Sequence, residues 1–173
     1  MRKLVLLLYV SIVLNGNVSG QADIFNQIGS EVAKIDKDTT LSRITEDAEV
    51  IYKQAFDGGG YLTVWHRGSE IRKIEQQIGL SYGRLTTTLY LQDSIPIYIT
   101  EKEENFQREQ DSIQYGGPLI VVYEVKLFIL DWSNDRSGKV ETGTRIISEG
   151  TCSSYEYEQM MEEAMNLIKR KTE

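Results

Sequence analysis

Few residues in this chain have the type and spacing for chemistry. Gly79-Leu80-Ser81-Tyr82-Gly83 matches G-x-S-x-G, in which a serine at a sharp strand-to-helix turn becomes a nucleophile. That use needs a base histidine later in the chain, but the single histidine, His66, precedes the serine, and RLTTTLYLQ after it is strand-like. A hairpin turn with two glycines explains the five residues better. His66 changes charge near neutral pH and is a candidate general base; its place before Arg67-Gly68-Ser69 fits a histidine satisfied at a turn. Glu101, Glu103 and Glu104 offer the paired carboxylates that glycosidases use, but a solvated acidic strand end is the sounder reading of them. Asp131 to Gly138 is oxygen-rich, as a calcium loop is. However, one frame has Arg136 where the turn wants Gly, and the other ends on Thr144 instead of a bidentate Glu. One Cys and one His supply no zinc set. The expectation is no catalytic residue, no cofactor and no metal.

A surface offers more. Tyr61, Thr63 and Trp65, then Thr86, Thr88 and Tyr90, then Tyr98 and Thr100 fall on one side of three alternating segments, opposite an aliphatic side. Rigid aromatics beside hydroxyls suit recognition of a peptide, glycan or protein, which makes Tyr61, Trp65, Tyr90 and Tyr98 the candidate ligand surface. Thr and Tyr are also good strand formers, which alone would produce such a face.

The elements that must carry these residues follow from periodicity. Ile24, Ile28, Val32 and Ile35 line one face of a helix over 22–36. Residues 41–56 fit a helix through Leu41, Ile44, Ala48 and Ile51, or a terminal strand through Val50 and Tyr52, and stay open. After Gly58-Gly59-Gly60 the period becomes two: Leu62 and Val64, then Leu85, Leu89 and Leu91, then Ile95, Ile97 and Ile99 form the aliphatic side. Gln92-Asp93-Ser94 reads as a hairpin turn, and Pro96 as the mark of an edge strand or a strand start. Gly60-Tyr61-Leu62-Thr63 recurs as Gly83-Arg84-Leu85-Thr86, and the second copy leads into a strand. The repeat therefore favours strand for 70–78 over the helix that Ile71, Ile74 and Ile78 also permit. Residues 101–118 read as a loop or strand overhang, and PLIVVYEVKLFILDW as a central strand or two joined near Glu124 to Lys126. A turn at Ser133 to Gly138 and a last strand from Val140 to Ser148 follow. A helix then starts at the Ser153–Glu156 capping box, with Tyr157, Met161, Ala164 and Ile168 as its stripe.

These elements predict an α+β domain: an antiparallel β-meander of about six to seven strands packed with an N-terminal and a C-terminal helix. Arg2 and Lys3, the apolar run Leu4 to Leu14, and the small polar stretch to Gly20 predict a secretory signal peptide over 1–20, leaving one domain over 21–173. The apolar run is shorter than the ~20 residues of a membrane span, so no transmembrane anchor is expected. The destination is the periplasm or the exterior, in soluble form. The net charge of −7, which becomes −9 without Arg2 and Lys3, disfavours nucleic acid and anionic membranes as partners. Cys152 is expected to be a buried small hydrophobe.

The stretches GGGYLTVWHRGSEIRKIEQQIG, GRLTTTLYLQDSIPIYI and VKLFILDW resemble a group of small secreted proteins of unknown function from Gram-negative bacteria. The resemblance implies a meander with flanking helices and export, and brings no activity, cofactor or site. The functional expectation is a non-enzymatic exported domain that binds an unknown protein or cell-envelope component. The alternatives are a small secreted hydrolase using His66 or the Glu101–Glu104 acids, and a structural subunit that self-associates through an edge strand.

Overall fold

Two-residue alternation dominates the middle of the chain, and it builds an unbroken antiparallel meander. The computed structural model describes residues 16–109, 112–113, 116–145 and 154–172. Strands β1 (Ser42–Asp47), β2 (Gly60–Arg67), β3 (Glu70–Leu80), β4 (Gly83–Gln92), β5 (Ile95–Phe106), β8 (Leu119–Asp131) and β9 (Arg136–Gly143) pair in chain order. Between β5 and β8, β6 (Arg108–Glu109) and β7 (Ser112–Ile113) form a separate small hairpin. Helix α1 (Gly16–Lys37) begins upstream of the expected 22–36. Helix α2 (Ala48–Tyr52) follows β1, and α3 (Ser154–Thr172) ends the described chain. The α+β meander with a helix at each end is the fold that the periodicity predicts.

Register puts one row of aliphatics across six strands: Ile44, Val64, Ile74, Leu89, Ile99 and Leu127 are successive partners. On this face α3 lays down Tyr157, Met160, Ala164, Leu167 and Ile168, forming the main core with Leu62, Ile71 and Leu91. Each large aliphatic side chain buried there contributes about 1.5–3 kcal/mol. Tyr157 reaches Glu101 in β5 and Lys171 pairs with Glu46 in β1 at 3.2 Å, so α3 crosses the strands. Helix α1 covers part of the opposite face. Its Phe25 stacks on Phe128 at 4.2 Å, and its Glu31 and Asp36 pair with Arg72 and Lys73, each at 2.8 Å.

The open segment 41–56 holds both elements in the opposite order to the one offered: Ile44 lies in strand β1, and Val50 and Tyr52 lie in the short helix α2. Residues 70–78 are strand, as the repeat favoured. The helix-like spacing of Ile71 and Ile74 comes from a bulge: Lys73 pairs with Trp65 and Ile71 with His66, so Arg72 is extra and both isoleucines face the core. A second bulge alters the expected alternation in β5. Leu91 pairs with Pro96, which is fully buried, while Ile95 is left 52% exposed. Pro96 therefore lies at the start of an interior strand, not on an edge. Residues 101–106 extend β5, and β8 runs through Glu124 to Lys126 without a break. The last strand is Arg136–Gly143, earlier than the expected Val140–Ser148. Cys152 and Ser153 of the capping box lie outside the described residues.

Candidate ligand-binding groove

The loop after α2 is held in place by backbone contacts. Asp47 caps α2 by accepting from the Glu49 amide at 2.7 Å, and Lys53 ends it at φ 53°. Glu49 then accepts from the Phe56 amide at 3.0 Å. Gly58 donates to the Gly79 carbonyl at 3.2 Å, and Gly79 donates to Gly59 at 2.7 Å. A Cβ on Gly79 would collide with the Gly58 carbonyl, so this crossing of backbones requires glycine. Phe56 is thereby fixed beside Tyr52, their rings 6.4 Å apart and 86° to one another.

Between this loop, β3 and α3 lies a cavity of about 330 Å³. Tyr52 and Phe56 form one wall, Ile78 and Met160 are apolar, and Gln54, Gln76 and Gln159 bring three amides. The Tyr52 hydroxyl is buried, with the Gln76 side chain as its polar neighbour but no fully formed hydrogen bond. Burial pushes its phenol up to about 12, so the hydroxyl stays protonated and able to donate at neutral pH.

A second cavity of about 270 Å³ adjoins the first, because Gln76 and Ile78 line both. Its polar lining includes Glu101, Glu103, Thr87, Tyr123 and Arg145. Glu101 accepts from Tyr157 of α3 and from Arg145, whose guanidinium lies 4.6 Å from the Tyr123 ring centre. Burial raises the Tyr123 phenol, with the nearby Glu141 adding to the effect. Sharing Gln76 and Ile78, the two cavities make a groove on the α3 face of the sheet beside that helix.

The sequence candidates fall in several places. Glu101 and Glu103, two apart on β5, face this groove, whereas Glu104 lies on the opposite face with Arg84 at 2.5 Å and Lys102 at 3.5 Å. Its hydrogen bond with Arg84 holds the Glu104 carboxyl below the usual carboxylate range. His66 is 6% exposed; its Nδ1 donates to the Gly68 carbonyl at 2.7 Å, and it lines neither cavity. Ser81 and Tyr82 are the turn between paired Leu80 and Gly83, a strand–turn–strand geometry and not a nucleophile elbow. Asp131 accepts from Asn134 inside the β8–β9 turn, and no cluster among the described residues could hold a metal ion.

The aromatic surface is divided by α1. Tyr90 is 8% exposed, with its hydroxyl donating to Asp36 of α1 at 3.1 Å. Tyr98 packs between Tyr90 and Phe128, and Phe128 continues the stack to Phe25. Tyr61 and Trp65 are half-buried. Tyr61 donates to Gln77 at 3.1 Å, and Lys73 and Arg43 stand 4.9 and 5.4 Å from the Trp65 ring. Sequence reasoning missed Tyr52, Gln54, Gln76, Gln159 and Arg145. They come from separate elements and share no spacing; only their convergence in space marks them.

Comparison with family models, with curated proteins and with solved structures finds no match. No helix among the described residues is long and apolar enough to cross a membrane.

Proposed function

We propose that the chain is an exported, non-enzymatic binding domain that recognises a cell-envelope component in the groove beside α3. The observation that carries this is the pair of adjoining cavities meeting at Gln76 and Ile78. Concave sites where a few polar groups converge on apolar walls are where ligands bind. Of the groups a hydrolase would use, Glu101 and Glu103 face the groove, with Glu101 tied by Tyr157 and Arg145, while Glu104 is on the other face and His66 is buried elsewhere. Export rests on the signal-like residues 1–20, and the mature chain released to the periplasm or the exterior should begin at Gln21. N-terminal sequencing of the exported protein checks this; retention of residues 1–20 would contradict it.

A second reading has one observation in its favour. Trp65, with Arg43 and Lys73 beside it and Tyr61 on the same strand face, could form a recognition patch for a protein or glycan.

One experiment separates the two. The protein recovered from the exported fraction is sedimented with isolated cell envelopes, beside Ile78→Trp, which fills both cavities, and Tyr61→Ala/Trp65→Ala. Circular dichroism establishes that each is folded. The groove reading expects Ile78→Trp to weaken binding at least about tenfold, or 1.4 kcal/mol, while the double variant binds normally. The reverse pattern would install the Trp65 patch. Normal binding by both variants, or none by the wild type, would remove both surfaces.

A further inference from the structure

The cavity between α2 and α3 has a chemistry specific enough to name a ligand class. Among the described residues, its lining carries no ionised side chain. A phosphate, carboxylate or ammonium placed there would give up water and find no counter-charge in this lining, which disfavours an ion. The polar groups are three primary amides and one phenol. Each amide offers both donors and an acceptor, and the buried Tyr52 hydroxyl has the Gln76 side chain as its polar neighbour without a fully formed hydrogen bond. Such a set is matched by a ligand whose own groups both donate and accept, which is the property of hydroxyls. The aromatic geometry narrows the class further. Tyr52 and Phe56 meet at 86°, so they make a corner and not a parallel clamp, and a flat base cannot be sandwiched between them. A thick, puckered ring with apolar C–H faces fits a corner. The volume, about 330 Å³, suits a small-molecule site.

We infer that this cavity binds an uncharged sugar ring: its C–H face lies against Tyr52 or Phe56, and its hydroxyls bond Gln54, Gln76, Gln159 and the Tyr52 hydroxyl. This rests on the groove reading above and names the component recognised there. Gln54 from the loop and Gln159 from α3 stand on the exposed rim, with Gln76 on β3 between the strand neighbours Leu62 and Thr87. The rim amides select hydroxyl orientation, and the aromatic corner supplies apolar contact.

The test uses glucose, galactose, mannose and N-acetylglucosamine as neutral probes, with glucuronate, glucosamine and glucose 6-phosphate as charged ones. Binding is followed by saturation transfer from protein to sugar. At least one neutral sugar should give a signal that its charged relatives lack or show at least tenfold more weakly. Gln54→Ala/Gln159→Ala, two exposed positions whose loss leaves the core intact, should weaken the signal at least tenfold, and Tyr52→Phe should weaken it severalfold. Charged probes binding as well as neutral ones, or a neutral signal unchanged in the glutamine double variant, would overturn the inference. No sugar signal, combined with envelope binding that Ile78→Trp abolishes, would discard the sugar and keep the groove. Envelope binding that survives Ile78→Trp would discard the groove itself.

Discussion

Glu104 is 6% exposed on the face away from α3, and its carboxylate is neutralised mainly by Arg84. Because its folded pKa lies below the ordinary 4.5, the pair stabilises the fold above that pH, and the contribution disappears as pH falls through the depressed value. Arg84→Met should therefore cost about 2–3 kcal/mol at pH 7, and the difference from wild type should shrink as pH falls through the depressed Glu104 value. Urea unfolding at pH 7 and pH 3 checks this; an equal loss at both would assign the effect to packing of the Arg84 stem. Gly79→Ala tests the crossing of backbones beside α2. It forces the Gly58 carbonyl away, and should release the loop that carries Gln54 and Phe56 while the β-sheet survives. Faster amide exchange over residues 53–59, with little change in α3, is the expected result. Unchanged exchange there would mean that the glycine crossing does not hold the loop.

Helix α1 is attached by one aromatic insertion and several ion pairs. Phe25 rests on Phe128 and directly over Gly138, where any Cβ would enter its ring. Gly138→Val should expel Phe25, raise exchange throughout α1 and expose Tyr90 and Tyr98, at about 1–3 kcal/mol typical of overpacking. Protection retained in α1 would show that the Glu31, Asp36 and Asp38 pairs suffice without Phe25. Most elements were legible because each alternates cleanly, and the repeated Gly-x-Leu-Thr start correctly turned 70–78 into strand. The bulges were not: an extra residue at Arg72 makes a strand look helical at Ile71 and Ile74, and the one at Ile97 moves Pro96 into the core. Register is a relation between strands, so no single segment announces it. The glycine of the oxygen-rich Asp131–Gly138 stretch is explained by Phe25, a residue more than a hundred positions earlier in the chain.

At the scale of the molecule, two helices cover opposite faces of one meander, and neither covers its face completely. On the α1 side this leaves Tyr61 and Trp65 outside the helix, and on the α3 side it leaves the groove. Periodicity revealed which residues share a sheet face. It gave no information on how far along that face a helix would lie, and that offset decides which polar residues stay open. Glu101 was visible as a candidate because of its type; Gln76 was not, because one glutamine within a strand carries no signal until Gln54, Gln159 and Tyr52 are brought beside it. A ligand that enters this groove must perturb the residues that line it. The most direct measurement is an amide chemical-shift titration of the labelled exported protein with soluble cell-envelope extract. Shifts should concentrate at residues 54–56, at Gln76 and Ile78, and at Gln159 and Met160. Shifts confined to Tyr61, Trp65 and their neighbours, or no shifts at saturating extract, would contradict binding in the groove.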